Sequence, residues 1–286
     1  RLFMMVGIED IFIEGIKYSF DPDKEYMKDG HAYCKTCHER KDGEIRSFLD
    51  KNFIFKNNCK CDRERLEREK KREREQEIEQ LKRDCFISMS QWAYTFDNYR
   101  GEKDKSYIIA RNFVKEYEQM KKENIGLLFC GTVGSGKTYL ACSIANALIE
   151  EYMIRVKIRN FAQIINDLQK GGFDLDKNEY IEALTNVSVL ILDDLGIERD
   201  TSYAKEQVYN IVNSRYLKQK PTIFTTNLPY EKIQNSDDGV EYERIYSRII
   251  EMCIPVKVIG EDFRKRLQKE KLRKNKERLL NGGERT

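Results

Sequence analysis

Eight consecutive residues, 131–138, have the types and spacing of a loop that binds nucleotide phosphates. Their sequence is Gly-Thr-Val-Gly-Ser-Gly-Lys-Thr; an apolar run precedes them and an amphipathic stretch follows. The glycines allow backbone N–H groups to turn toward a phosphate because no Cβ blocks the approach. A helix that begins at the loop adds the positive end of its dipole to the same anion. This pattern predicts a site for ATP or GTP.

We assign the nucleotide contacts to the whole loop and to the residue that follows it. Lys137 is expected to bring a positive charge to the β- and γ-phosphates, and the Thr138 hydroxyl to bind Mg²⁺. The predicted nucleotide-binding residues are Gly131, Thr132, Val133, Gly134, Ser135, Gly136, Lys137, Thr138 and Tyr139.

A pair of carboxylates follows the apolar sequence Val-Leu-Ile-Leu at 189–192. The pair is Asp193 and Asp194, and Asp193 lies 55 residues beyond Thr138. We expect Asp193 to join Thr138 in binding Mg²⁺, and Asp194 to orient the water that attacks the γ-phosphate. The spacing from the phosphate loop makes this a strong signal, although two aspartates after an apolar strand mean little by themselves.

A third apolar run, 222–225, is followed closely by Asn227. If this strand lies between the strands that carry the phosphate loop and the acidic pair, Asn227 lies near the γ-phosphate and positions water. The alternative is an asparagine that caps the turn before Pro229.

The composition limits the class of protein. The chain has 286 residues, 40% hydrophobic and 35% charged, with a net charge of +3. This length suits one α/β domain and a smaller module, and the small net charge does not imply a globally basic nucleic-acid binder. No apolar run is long enough to span a membrane, and acidic residues interrupt the apolar N-terminus, which argues against a signal peptide. Eight cysteines in such a chain favour metal binding or free thiols, so we expect a cytoplasmic protein.

Composition also divides the chain into four regions. Residues 1–61 hold both histidines and half of the cysteines, 62–85 are almost entirely charged, 86–266 are an ordinary globular mixture, and 267–286 are basic. We predict a zinc-binding N-terminal domain that contacts a partner, a charged helical linker, an ATPase domain and a basic tail. The linker lacks glycine and proline, which favours a solvated connecting helix; a helix that binds a partner is the alternative.

The globular region alternates strand and helix patterns in the manner of an α/β domain. Apolar runs predict strands, and helical patterns lie between them. The predicted strands are 125–130, 155–158, 187–192, 222–225 and 254–258, and the predicted helices are 139–152, 161–169, 205–218 and 241–252. We expect a five-stranded, mostly parallel sheet with helices on both faces, and a ligand site at the carboxyl ends of its strands.

Four cysteines near the N-terminus are spaced as ligands of a zinc ion. They form one Cys-x₂-Cys pair and one Cys-x-Cys pair: Cys34 and Cys37, then Cys59 and Cys61. Four thiolates complete a tetrahedral site with no open position, which is typical of structural zinc. A histidine close in sequence, His31 or His38, could replace one ligand, and four unligated thiols are the further alternative.

Two other groups are assigned first to packing. One consists of cysteines in or beside apolar segments: Cys85, Cys130, Cys142 and Cys253. The other is an aromatic cluster, expected to pack on the first strand or to wall the adenine pocket, with base stacking as the alternative: Trp92, Tyr94, Phe96 and Tyr99.

Residues 264–285 carry ten basic and three acidic side chains, and form either a helix that follows a nucleic-acid backbone or a solvated tail.

Five ordered motifs together resemble the DnaC/DnaI-type replicative helicase loaders, which are AAA+ ATPases with the IstB transposition ATPases as close relatives. The motifs are residues 131–138, 192–196, 225–228, 244–248 (Arg-Ile-Tyr-Ser-Arg) and 260–264 (Gly-Glu-Asp-Phe-Arg). The resemblance covers roughly residues 90–266. It implies an AAA+ ATPase core.

The resemblance implies a role for four polar residues. Asn227 matches the sensor 1 position, and Arg248 matches the arginine finger, which acts on the nucleotide of a neighbouring subunit. Arg244 accompanies the finger one helical turn earlier, and Arg264 matches sensor 2, which reaches the γ-phosphate within the same chain. A guanidinium suits these roles because paired hydrogen bonds neutralise the transferring phosphoryl group.

The chain departs from the wider AAA+ pattern in two ways. Many AAA+ proteins end the second motif with Asp-Glu, whereas this chain has Asp193 and Asp194. The shorter side chain of Asp194 reaches less far than a glutamate at the catalytic-base position, and the metal-binding role of Asp193 does not depend on that reach. Few residues follow Arg264, so the helical lid of larger AAA+ proteins is not expected. Hydrolysis should then be slow in a monomer and faster when chains stack.

The resemblance also implies partners. These are a hexameric DnaB-type replicative helicase bound through the N-terminal zinc region, single-stranded DNA, and a second copy of the chain that completes the ATP site; no membrane partner is expected. The implied function is ATP-dependent loading of that helicase in DNA replication. The alternatives are an IstB-like transposition accessory ATPase that binds DNA and a transposase, and a nucleotide-gated assembly module with negligible hydrolysis.

Overall fold

The computed structural model describes residues 8–49, 51–170, 176–196, 201–236, 239–260 and 262–280. The chain divides into two compact units, Arg1–Gln76 and Glu77–Thr286. The division falls within one long helix, α1 (Lys60–Cys85), which covers the predicted charged linker. Each unit is described by itself.

Antiparallel hairpins form the N-terminal unit. Its strands pair in the order of the chain: β1 (Glu9–Ile13) with β2 (Ile16–Phe20), β3 (Glu25–Lys28) with β4 (His31–Cys34), and β5 (Asp42–Phe48) with β6 (Lys51–Lys56). In the described part of this unit the hydrophobic cluster has three buried members, Ile13, Tyr18 and Ala32. So small a core gives little stability, which is the usual reason for a metal or a disulfide in a module of this size.

The C-terminal unit alternates helices and strands after a short 3-10 helix, Met89–Ala93. In chain order its elements are α2 (Lys105–Lys115), α3 (Tyr117–Lys122), β7 (Gly126–Cys130), α4 (Lys137–Tyr152), β8 (Val156–Asn160), α5 (Phe161–Lys170), α6 (Lys177–Thr185), β9 (Val189–Leu195), α7 (Ser202–Leu217), β10 (Thr222–Thr226), α8 (Tyr230–Gln234), α9 (Val240–Met252), β11 (Cys253–Lys257) and α10 (Phe263–Leu280). Among the described residues, no helix is long and apolar enough to cross a membrane.

The central sheet has the strand order β11-β7-β10-β9-β8, and every neighbouring pair is parallel. The five predicted strands and the four predicted helices are all present, with ends that differ by a few residues. The hairpins of the N-terminal unit and helices α2, α3, α6 and α8 were not predicted, because their apolar positions are too few to give a clear period.

Helices cover both faces of this sheet, so its central strands are buried on both sides. In β7, Leu127 and Phe129 belong to the cluster that includes residues of α2 and α4. The alternate positions, Leu128 and Cys130, belong to the cluster that includes residues of α5, α7 and α9. This arrangement explains why the strand reads as a continuous apolar run rather than as an alternating one.

The two groups assigned to packing lie where the sequence predicts. All four cysteines outside the N-terminal pairs are buried. Phe96 is buried, and the other three aromatic residues of its cluster, Trp92, Tyr94 and Tyr99, are partly buried against the same core as α4. Packing rather than free exposure therefore accounts for these aromatic side chains.

Strand order also decides what meets at the carboxyl edge of the sheet. Because β10 lies between β7 and β9, the residues that follow these three strands are neighbours. The phosphate loop follows β7, the acidic pair ends β9, and Asn227 follows β10. Strand β10 thus lies between the strands that carry the phosphate loop and the acidic pair, as the predicted role of Asn227 requires.

Candidate functional site

The phosphate loop joins β7 to α4, and Lys137 is the first residue of that helix. Gly134 and Gly136 have φ values of +81° and +104°, a conformation that residues with a Cβ rarely adopt. The buried Lys137 ammonium donates to the carbonyl oxygens of Gly131 at 2.9 Å and Thr132 at 2.8 Å. It also donates to Asn227 Oδ1 at 2.8 Å, so the predicted sensor lies beside the predicted phosphate-binding lysine.

The two predicted magnesium ligands are in contact. Thr138 Oγ1 donates to Asp193 Oδ1 at 3.0 Å and lies 3.2 Å from Asp193 Oδ2. Thr225 Oγ1, on the neighbouring strand, donates to Asp193 Oδ1 at 2.6 Å. A hydroxyl and a carboxylate beside a phosphate loop are the oxygen ligands that Mg²⁺ prefers, so these residues fit the ion.

Burial raises the pKa of Asp193 above its ordinary value, and the charge of Asp194 adds to the increase. The hydroxyls of Thr225 and Thr138 and the charge of Lys137 oppose it. The carboxylate is thus desolvated but hydrogen-bonded, and a bound cation would offset the cost of burying its charge.

Asp194 lies at the end of β9 with φ of +60°, a left-handed conformation that costs energy in a residue with a side chain. Its backbone N–H donates to Thr225 Oγ1 at 3.0 Å, and its carboxylate accepts from Asn160 Nδ2 at 3.2 Å. These two contacts fix the direction of Asp194. The roles of Thr225 and Asn160 were missed from the sequence, where a threonine within a strand and an asparagine at a strand end have no distinctive spacing.

Tyrosine side chains form a wall beside the start of α4. Tyr139 stacks on Tyr94 with ring centroids 4.8 Å apart, and Tyr99 lies 5.4 Å from Tyr139. The Tyr99 hydroxyl is 3.6 Å from the position that a Cβ at Gly136 would occupy. Flat apolar surface next to a phosphate loop suits a purine base, and the role of these rings as an adenine wall stays a prediction.

The predicted arginine finger lies on α9 and packs against α7. The Arg248 guanidinium lies over the rings of Tyr209 at 4.9 Å and Tyr216 at 5.6 Å. It donates to the Tyr209 hydroxyl at 3.2 Å and to the Arg244 carbonyl at 3.2 Å. Among the described residues, none of these contact partners belongs to the phosphate loop. The exposed Arg244 is also on α9, and the side chain of the predicted sensor 2, Arg264, lies outside the described residues.

The four predicted zinc ligands come together in the N-terminal unit: Cys34, Cys37, Cys59 and Cys61. Their sulfur atoms all lie within 4.8 Å of one another. Tetrahedral zinc with bonds of about 2.3 Å needs sulfurs about 3.8 Å apart, so this donor set fits the ion. The two histidines bond elsewhere: His31 Nδ1 to Asp42 at 2.8 Å, and His38 Nδ1 to Tyr26 at 3.2 Å.

The surroundings act differently on the individual thiols of this group. Backbone N–H groups of Glu39 and Cys61 lower the pKa of Cys37 to about 6. Burial raises the pKa of Cys59 to about 12, and a hydrogen bond with Cys37 raises the pKa of Cys61 to about 11. The buried Lys41 ammonium lies 4.0 Å from Cys59 Sγ and forms an ion pair with Asp62.

Comparison with known proteins agrees with this geometry. Residues 52–271 match the family described as IstB-like ATP binding protein. The chain is 34% identical over 162 residues to the phage-like element PBSX protein XkdC of Bacillus subtilis (strain 168), covering 54% of this chain and 58% of XkdC. It is 28% identical over 163 residues to the replicative helicase loader DnaI of the same strain, covering 54% of this chain and 51% of DnaI.

A solved structure of a helicase loader has a similar fold. The crystal structure of the DnaC helicase loader matches with a TM-score of 0.53 and 29% identity, over 60% of this chain and 100% of that one. The predicted α/β fold and the resemblance to the DnaC/DnaI group are therefore confirmed, while the chain spans about half the length of the curated relatives it matches. Because the matched residues make up well over half of the sequence, the chain belongs to the family of IstB-like ATP binding proteins.

Proposed function

We propose that this protein binds ATP with Mg²⁺ and hydrolyses it slowly. The observation that carries the proposal is the meeting of three strand ends, where Lys137 contacts Asn227 and Thr138 contacts Asp193. Lys137 and the loop N–H groups hold the phosphates, and Thr138 and Asp193 hold Mg²⁺, which neutralises charge on the phosphoryl group. Asn227 and Asp194 position the attacking water. The hydrogen bond from Asn160 gives Asp194 a fixed direction for that task.

Arg248 is proposed to complete the site of a neighbouring copy of the chain, with Arg244 beside it. Its aromatic and backbone contacts hold the guanidinium in place on α9, and Arg248 as a residue is half-buried. Such a finger makes hydrolysis depend on self-association, because a single chain then lacks one charge that stabilises the transition state.

The proposed biological role is to bind a hexameric DnaB-type replicative helicase and help place it on single-stranded DNA. It is supported by membership of a family with relatives named as replicative helicase loaders. The zinc-binding unit is proposed to contact the helicase. It exposes aromatic side chains on one hairpin, Phe48, Phe53 and Phe55, and contiguous exposed apolar surface usually marks a protein interface.

Helix α10 is proposed to contact the DNA strand. Residues 264–285 carry ten basic and three acidic side chains, and the α10 side chains that the structure describes are exposed. Cations along one helix attract a phosphate backbone without regard to base sequence, and this attraction weakens as salt is added.

The test is the ATPase rate as a function of protein concentration, with and without single-stranded DNA and the replicative helicase. The rate per chain should rise with concentration and change with both partners. Lys137→Ala should lose nucleotide binding and serves as the inactive reference. Lys218→Ala, which alters a lysine that pairs with Glu182, is the matched control and should behave as the wild type. A rate near zero under every condition would leave a nucleotide-gated assembly module as the function.

A further inference from the structure

Three residues between β11 and α10 lie directly against the phosphate loop. The carbonyl oxygen of Val258 lies where a Cβ at Gly131 would be placed. A Cβ at Gly260 would be 3.1 Å from the carbonyl oxygen of Ser135. The carboxylate of Asp262 occupies the position of a Cβ at Gly134. These approaches are possible because the glycines carry no side chain, so the loop is closely packed on this side.

The same carboxylate caps α10. Lys265 N–H donates to the Asp262 carbonyl oxygen at 3.0 Å and lies 3.4 Å from Asp262 Oδ1. Asp262 is half-buried. One side chain therefore touches both the loop that binds phosphates and the first turn of the basic helix.

We propose that Asp262 opposes nucleotide binding through its charge and transmits the occupancy of the phosphate loop to α10. This inference rests on the proposed nucleotide site. A carboxylate in contact with Gly134 is within a few ångströms of any phosphate held by the loop N–H groups, and like charges at that separation repel strongly in a partly buried site. Bound nucleotide therefore favours a position of Asp262 farther from the loop.

Movement of Asp262 cannot leave α10 unchanged, because its carboxylate caps that helix. A ligand shifts such an equilibrium only through its different interaction with the two positions, and the repulsion supplies that difference. The coupling is reciprocal: a nucleic acid that holds α10 in the displaced position raises the affinity of the loop for nucleotide.

Asp262→Asn separates the charge from the cap, since asparagine caps a helix as well as aspartate does. The measurement is the dissociation constant of fluorescent ATP and ADP analogues at low and high salt. The variant should bind ATP roughly tenfold more tightly than the wild type, with a smaller gain for ADP and a smaller gain at high salt. Unchanged or weaker binding of ATP would overturn the repulsion.

Asp176→Asn is the matched control. Asp176 caps α6 through the N–H groups of Asn178 and Glu179, at 2.9 and 3.2 Å, so the change again replaces a capping carboxylate. This variant should bind nucleotide as the wild type does. An equal gain in both variants would show a general effect of net charge and would contradict a local role for Asp262.

Hydrogen exchange of the backbone amides in α10 tests the coupling. ATP should change the exchange of the first turns of α10 in the wild type, and this response should be lost in Asp262→Asn. A response that persists in the variant contradicts transmission through the carboxylate. If the wild type binds no nucleotide, the proposed function fails; if it binds and Asp262→Asn matches it, only this inference fails.

Discussion

At the residue scale, a network of hydroxyl and amide groups fixes the polar side chains of the nucleotide site. Thr225 is central because its hydroxyl donates to Asp193 and accepts from the backbone of Asp194. Asn227 Oδ1 accepts a hydrogen bond from Lys137, and Asn160 Nδ2 donates one to the Asp194 carboxylate. Side chains held at fixed positions need little rearrangement when charge develops, which is the main source of catalysis in phosphoryl transfer.

Replacing Asp193 separates its function from its effect on stability. Because burial raises its pKa, the folded chain holds this proton more tightly than the unfolded chain. Its contribution to stability is therefore present below the ordinary pKa and is lost as pH rises through the folded value. At neutral pH the ionised carboxylate opposes folding. Asp193→Asn should melt at the same temperature as the wild type or higher, yet lose roughly tenfold or more of its Mg²⁺-dependent affinity for ATP.

Two measurements check this expectation: thermal unfolding at neutral pH, and nucleotide titration with and without Mg²⁺. A lower melting temperature would contradict the sign derived from the pKa. Full stimulation by Mg²⁺ in the variant would contradict the role of Asp193 as a ligand.

Arg248 tests whether the site is shared between chains. Arg248→Ala should retain nucleotide affinity while hydrolysis falls by about a thousandfold, the usual effect of losing an arginine finger. Mixing it with Lys137→Ala should restore activity, because each variant then supplies the group that the other lacks. Tyr209→Phe removes only the hydroxyl that Arg248 bonds, and is the control for local packing. Failure of the mixture to recover activity would rule out action in trans.

At the element scale, α7 is tied to the sheet by a buried arginine. The Arg215 guanidinium donates to backbone carbonyls of Thr185 at 2.8 Å, Val187 at 2.7 Å and Pro221 at 2.6 Å. Burial lowers its pKa to about 9, so it remains charged at neutral pH. The arginine thus joins the end of α6 and the starts of β9 and β10, at the edge of the sheet opposite the phosphate loop.

Arg215→Met should lower the free energy of unfolding by about 3–5 kcal/mol, because it leaves several buried carbonyl oxygens without a donor. Urea unfolding measures the effect. The control is Arg155→Met, at an exposed position just before β8, which should change stability by less than about 0.5 kcal/mol. Equal stability of the two variants would mean that water reaches the carbonyls and replaces the lost donor.

At the scale of the whole molecule, the two units have different sources of stability. The C-terminal unit has extensive hydrophobic clusters on both faces of its sheet. The N-terminal unit has a small cluster and a group of four cysteines. A metal ion bound to that group would cross-link β4, the turn after it and the start of α1, and would add stability that the small core does not supply.

Native mass measurement should find one zinc ion per chain, and none after Cys34→Ser and Cys37→Ser are combined. Loss of the ion should increase hydrogen exchange across residues 8–56 while ATP affinity stays within about twofold of the wild type, since the C-terminal unit has its own core. Cys130→Ser, at a buried cysteine outside the cluster, should keep its zinc. A wild-type protein without metal would end the proposal.

The sequence by itself determined the phosphate-loop motif, the cysteine pairs and the order of the elements around the candidate nucleotide site. Three of these patterns involve only residues close together in the chain: the glycine spacing in the loop, the apolar run before Asp193 and the cysteine pairs. Such local patterns can be recognised without a structure. For the same reason the five strands of the sheet were predicted. The short hairpins and helices were not, because a few apolar residues do not define a period.

Only the tertiary structure decided which side chains from distant segments meet. Strand order placed Asn227 against Lys137 and Thr225 against Asp193, and the return of the chain after β11 placed Asp262 on the phosphate loop. The physical reason is that sheet pairing and helix packing bring together residues far apart in sequence, whereas sequence patterns record only what neighbours along the chain require.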